Sequence, residues 1–257
     1  MQIELNKLII LSIHIFFSTW LVYQWSRKMY HEQMQENEVV DEIYFFQLHH
    51  KKTTDYIIYF SFIISLITFL FLHNQTKLAI IFVGAISILY ALPLQKIGIS
   101  FRLRDVPFLK IFLIAFSWSA TATFIPALEA KNLFVLFDNY SWKFFAAQFL
   151  FILFITLPFD MSDMKNDKVQ NLKTIPLLFG MKTSKVFLTI FFIAYVSIVF
   201  FLNINSYYII GITLLCFVLL LISIFYIDKL TKTEVMLVYD GSMILYFFIV
   251  LFIKYIV

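Results

Sequence analysis

Cysteine is almost missing from this chain of 257 residues, as are glycine, proline and charge. The single cysteine, Cys216, lies in an apolar run and cannot close an internal disulfide, so a disulfide-stapled secreted scaffold is excluded. Five Gly and five Pro exclude collagen-like and low-complexity readings. Only 14% of residues are charged, 20 basic and 16 acidic, against about 25% in a soluble globular domain. That is too little charge to coat a water-soluble body of this size. In its place, 61% of the residues are apolar, with 33 Phe and 14 Tyr, and this excludes a disordered polymer or a nucleic-acid-binding tail. What remains is an integral membrane protein.

A helix needs about 20 apolar residues to cross the hydrocarbon core and tolerates isolated polar ones. Eight stretches meet that requirement, at roughly 6–25, 55–73, 77–94, 107–127, 142–160, 185–203, 206–226 and 236–256, of which the third and sixth are short. None alternates polar with apolar residues as barrel strands do. The expected fold class is therefore all-α: a bundle of about eight transmembrane helices forming one membrane domain over residues 1–257. The first stretch is read as a span, because its apolar core is longer than that of a signal peptide and Arg27-Lys28 follows it instead of preceding it.

Fifteen basic residues fall in the alternate loops that contain Arg27 to Lys52, Lys96 to Lys110, Lys165 to Lys185, and Lys229 with Lys232; the opposite side has five, Lys7, Lys77, Lys131, Lys143 and Lys254. Basic residues mark the cytoplasmic side. The long polar loops are thus expected in the cytoplasm of a prokaryotic cell, with both termini outside the inner membrane. The net charge of +4 reads first as this topology signal.

Chemistry concentrates after the fifth stretch, in Asp160-Met-Ser-Asp163-Met-Lys-Asn-Asp167-Lys168, followed by Lys173-Thr174-Ile-Pro176 and Gly180. Continued as a helix, Asp160, Asp163 and Asp167 fall at i, i+3 and i+7 and share one face. Stacked like charges repel, so something cationic is expected to offset them. A hard divalent ion such as Mg²⁺ suits them, since it takes one or two carboxylates, keeps several waters and binds a substrate phosphate. Lys165, Lys168 and Lys173 could then hold the outer phosphate oxygens. The competing reading is a solvated helix end whose Asp/Lys alternation supplies solubility.

This segment resembles the second aspartate-rich motif of the UbiA-type intramembrane prenyltransferases: Asp-x-x-x-Asp and a basic residue, then Lys/Arg-Thr-Leu-Pro and Leu-Gly. Here Asp163, Asp167, Lys168, Lys173, Thr174, Pro176 and Gly180 occupy those places, and three apolar stretches follow, as in the family. Tyr90 and Lys96 resemble the family's tyrosine–lysine stretch. The resemblance implies a helical bundle around a central cavity, with Mg²⁺ held by Asp160, Asp163 and Asp167, of which Asp163 and Asp167 would be catalytic. It implies an isoprenyl diphosphate bound by Arg27, Lys96, Arg102, Lys168 and Lys173, and a lipophilic acceptor, quinone- or lipid-like. The metal would neutralise the departing diphosphate while an apolar cavity shields the allylic cation from water.

The family's first aspartate-rich motif has no counterpart. Five stretches run up to the aspartates where the family has six helices, which makes residues 6–25 the counterpart of the family's second helix. The segment after it, Gln24-Trp25-Ser26-Arg27-Lys28-Met29-Tyr30-His31, carries no carboxylate, and no acidic residue occurs between Glu4 and Glu32. Glu32 and Glu36 could approach from one turn further out, or Arg27, with Gln24 and His31 near it, could bind diphosphate without a metal. Alternatively the protein is a catalytically inactive lipid-binding or assembly factor of the same fold. A small transporter is disfavoured, because no pair of stretches is broken by Gly or Pro at mid-membrane. His14 and Gln148 are expected to satisfy neighbouring helices. His49-His50-Lys51-Lys52 reads as a solvated loop. Asp240, before Gly241-Ser242, is either a functional group at membrane depth or a local break or cap. Glycine-rich phosphate loops, zinc spacings and nucleophilic triads are lacking, and nucleic-acid binding has no support.

Overall fold

The computed structural model describes residues 5–31, 50–91, 106–169, 172–202 and 204–256. Glu32, Glu36, His49, Lys96, Arg102, Arg104 and Asp105 lie outside the described residues, as do the side chains of Tyr90, His31 and Asn166. Among the described residues the regular structure is all helical: α1 (Leu5–His31), α2 (Lys51–Phe71), α3 (Asn74–Ala91), α4 (Leu109–Glu129), α5 (Asn139–Ser162), α6 (Met164–Val169), α7 (Ile175–Phe200), α8 (Ser206–Phe225) and α9 (Lys232–Ile256). Seven of these are long and apolar enough to cross a membrane, and α3 is the shorter apolar eighth. Among the described residues each expected stretch thus coincides with one long helix, and the chain is an all-α integral membrane bundle. Large apolar side chains such as Phe62, Phe71, Phe82, Phe247 and Phe252 stand more than half exposed on the helix surfaces, a surface that needs a lipid sheath.

The residues group into two compact units, with α4 shared between them: residues 120–137 join α1 to α3, and residues 105–119 join α5 to α9. In the first unit α1 packs along α2 and, less extensively, on α3. Leu11, Leu72 and Ile125 form its small core. His14, buried within α1, places Nδ1 3.1 Å from the Ser65 carbonyl and 3.2 Å from Thr68 Oγ1, so its polar atoms serve α2. Lys7 Nζ donates to His73 Nε2 at 3.1 Å. The His73 backbone N–H donates to Glu129 Oε2 at 3.1 Å, which gives a partner to a carboxylate that is only 1% exposed.

In the second unit α5 is the central helix. Its run of apolar residues has no polar face, the pattern of a helix surrounded on all sides, and Phe151 through Ile155, Leu157 and Met161 are all buried. It packs on α7 and α9, and α8 packs on both of those. Gln148 hydrogen-bonds Tyr246 across the α5–α9 contact. Asp138 caps the α5 N-terminus by accepting from the Ser141 N–H at 2.9 Å. That bond, with a second from the Ser141 hydroxyl, holds its carboxyl below the usual range.

Two departures from the sequence expectations concern local backbone. α7 begins ten residues before the stretch read from hydropathy, with Thr174 as its N-cap and Pro176 in its first turn, where a missing N–H costs nothing. It then kinks at Gly180, whose φ of 79° lies in the left-handed region that suits glycine. Conversely, Asp240-Gly241 is neither break nor cap: α9 continues through both, and Asp240 lies exposed on the helix.

Candidate functional site

The aspartate segment does not continue α5. That helix stops at Ser162, and Asp163 is its C-cap, with φ −92° and ψ 8° and its N–H bonded to the Phe159 carbonyl at 2.9 Å. The six-residue α6 starts one residue later, at Met164. The Asp167 N–H donates to the Asp163 carbonyl at 2.9 Å, and the Leu172 N–H donates to the Asp167 carbonyl at 2.9 Å. This corrects the expectation of one helical face bearing all three carboxylates: the backbone turns between the first and the last.

The turn separates the carboxylates into two settings. Asp160 and Asp167 converge on one cation, the ammonium of Lys110 in the first turn of α4. Lys110 Nζ lies 2.6 Å from Asp160 Oδ1 and 3.4 Å from each oxygen of Asp167. Both carboxylates are almost wholly buried, the Asp160 side chain 3% and that of Asp167 5% exposed, and Lys110 is 18% exposed. Asp163, in contrast, pairs with Lys232 at the start of α9, Oδ1 to Nζ 3.1 Å, in a more open position. Among the described residues no three Asp, Glu, His or Cys side chains converge as ligands of one metal.

The cation that the stacked carboxylates require is therefore supplied by the chain, from 50 residues away in sequence. Neither Lys110 nor Lys232 stands out in the sequence except as one of the fifteen basic residues of the more basic set of loops. Charge balance at Asp160 is satisfied, but its hydrogen bonding is not: Oδ2 is buried without a hydrogen-bond partner. An unsatisfied buried oxygen costs free energy that a further donor or ion would recover. Thr174 Oγ1 is similarly buried and unpartnered at the head of α7. The turn that leads into Lys110 is pinned to the same neighbourhood: the Phe108 N–H donates to the Lys173 carbonyl at 3.2 Å, and the Phe108 and Phe179 rings stack with centroids 5.5 Å apart.

Of the other residues named from sequence, Lys165, Lys168 and Lys173 have exposed side chains beside the aspartates. Arg27 lies half-buried near the end of α1 in the first unit. Its neighbour Lys28 is bonded to Asp55 of α2. His50 to Lys52 are exposed at the start of α2. Hard oxygen donors, two carboxylates focused on one point and an orphaned oxygen beside it form a set that fits a small divalent ion together with substrate phosphate.

A membrane bundle with buried carboxylates gathered at one end of a central helix defines a class of intramembrane protein. The family model of the UbiA prenyltransferase family matches residues 50–252, and the chain belongs to that family. The match begins beyond the segment that lacks the first aspartate-rich motif. An apo structure of a UbiA homolog from Aeropyrum pernix K1 superposes with a TM-score of 0.68 at 12% identity, covering 95% of this chain and 90% of that one. A digeranylgeranylglyceryl phosphate synthase structure gives a TM-score of 0.56 at 16% identity, covering 98% of this chain and 85% of that one. These similarities carry the fold. No curated protein sequence matches the chain.

Proposed function

We propose that this protein binds an isoprenyl diphosphate at the Asp160–Asp167 segment and transfers its prenyl group to a lipophilic acceptor of quinone or lipid type. The observation that carries the reading is the convergence of the buried Asp160 and Asp167 carboxylates on one cationic position, with Asp160 Oδ2 still unpartnered. Membership in a prenyltransferase family supports the reaction class.

In this reading Asp160 and Asp167 hold Mg²⁺, with Asp163 beside them. The ion, when bound, supplies the positive charge that neutralises the leaving diphosphate. The residues do the rest. Lys168 and Lys173 hold outer phosphate oxygens. In the reaction the allylic C–O bond breaks and the diphosphate leaves with the electron pair. The acceptor nucleophile then bonds to the allylic carbon and loses its proton. Apolar side chains exclude the water that would otherwise capture the cation.

One observation favours a second reading, a lipid-binding or assembly protein without catalysis. No carboxylate lies between Glu4 and Glu32, so the opposing half of the family's metal clamp is missing from its expected place. Incubating the purified full chain with Mg²⁺, radiolabelled isoprenyl diphosphates and lipid or quinone acceptors separates the two. A labelled prenylated product supports the transferase. Saturable diphosphate binding without product supports the second reading, and the absence of both removes the site.

A further inference from the structure

The position of Lys110 goes beyond the headgroup site proposed above, and its interpretation rests on that proposal. We propose that Lys110 is the built-in counter-cation of the aspartate site, a positioning residue whose ammonium occupies the place a divalent ion takes and must be displaced for the ion to enter.

Geometry supports the assignment first. Lys110 Nζ is the shared neighbour of two carboxylates that come from different helices, Asp160 from α5 and Asp167 from α6, at 2.6 Å and 3.4 Å. All three side chains are largely buried, so this pair of contacts belongs to the built interior and not to a solvated surface. An ammonium has only three donors and no preference for planar or octahedral ligation. It leaves Asp160 Oδ2 without a partner, an oxygen that an ion of higher coordination number could use. Charge arithmetic points the same way. Two carboxylates and one ammonium leave a single negative charge, and Lys232 already offsets Asp163. The site thus carries its own counter-charge, and a metal ion competes with an internal cation instead of meeting three bare carboxylates.

The lysine can also move. Its backbone lies in the first turn of α4, just after the Phe108–Lys173 hydrogen bond, but its charge sits at the end of a flexible four-carbon stem. Swinging that stem releases both carboxylates without moving a helix and leaves the ammonium near the site, where it can reach a diphosphate oxygen.

The test uses the full chain in detergent or nanodiscs and Mn²⁺ alone, followed by electron paramagnetic resonance. Lys110→Met keeps the stem and removes the charge, and should tighten Mn²⁺ binding by about tenfold or more. Lys143→Met removes an equal charge near the start of α5, at the opposite end of that helix from the aspartates, and should change nothing. Equal or weaker Mn²⁺ binding by Lys110→Met, or none at all, overturns the proposal. Because that variant leaves buried carboxylates without their cation and can fail to fold, a second measurement uses the wild-type chain. Acylation of lysines, read residue by residue by mass spectrometry, should show Lys110 protected without metal and several-fold more reactive as Mn²⁺ is added. Constant Lys110 reactivity across the titration also overturns it. Neither experiment contains an isoprenyl diphosphate, so failure to bind that substrate would sink the proposed function without touching this one.

Discussion

The backbone N–H of Phe108 donates to the carbonyl oxygen of Lys173 at 3.2 Å, joining the turn before α4 to the turn before α7. This bond ties the Lys-Thr-Ile-Pro segment to the turn before the lysine that pairs with Asp160 and Asp167. Phe108 holds φ at 64°, a left-handed conformation that a bulky residue adopts only under constraint. Its N–H is tied to the Lys173 carbonyl, and its ring is stacked nearly parallel on Phe179, with an interplanar angle of 3°.

Two substitutions separate the ring from the backbone. Phe108→Ala loses the stack and keeps the strained φ, whereas Phe108→Gly loses the stack and relieves the strain. The glycine variant should be more stable than the alanine variant by about 1 kcal/mol. Thermal unfolding in detergent checks the order; alanine equal to or above glycine would contradict it.

The buried ion pair makes a larger prediction. Removing one partner of a buried pair leaves the other charge uncompensated, at a cost of about 3–5 kcal/mol. Lys110→Met should destabilise the second unit by roughly that amount, and adding Asp160→Asn should restore part of it, because the nearest stranded charge is then gone. Additive losses in the double variant would show that Lys110 and Asp160 do not act as a pair. Lys232→Met, at the more exposed Asp163 bridge, should cost about 1 kcal/mol or less.

Glycine substitutions should split by backbone conformation and not by space, since an added Cβ meets nothing within 4 Å at either Gly180 or Gly241. Gly180→Ala is forced into a left-handed φ and should lose about 1–2 kcal/mol. Gly241→Ala sits inside α9 and should gain about 0.5–1 kcal/mol. Unfolding midpoints that move together would contradict the assignment of the α7 kink to Gly180.

Which of these features are readable from sequence depends on the range of the interaction. The helices are, because each span is a local run of apolar residues: all eight long helices correspond to stretches found by hydropathy. Their ends are less so. The kinked start of α7 contains Lys182 and Lys185, and these pull the apolar run's apparent start ten residues late. The Asp160–Asp163–Asp167 spacing correctly signals a need for positive charge. It does not identify the source, because Lys110 and Lys232 reach the site through tertiary packing. Nor does it reveal that Asp163 ends α5, since nothing in Met-Ser-Asp-Met is a strong helix breaker. Glu129 is missed for the same reason: its partner is the backbone N–H of His73, a donor that every residue except proline carries.

The orientation expected from the basic-residue count can be checked directly. Cys216 is fully buried, so single introduced cysteines can be labelled in an otherwise native chain. Lys165→Cys should react with a membrane-impermeant maleimide only from the cytoplasmic side, and Phe137→Cys only from outside. The reverse pattern would invert the topology.

The most direct measurement is equilibrium binding of a radiolabelled isoprenyl diphosphate to the purified full chain, with and without Mg²⁺, for the wild type and for the Asp160→Asn, Asp167→Asn double variant. The account predicts saturable, Mg²⁺-dependent binding by the wild type and at least about a hundredfold loss in the double variant, the scale expected when metal-held charge on a diphosphate is removed. Equal binding by both proteins would contradict it.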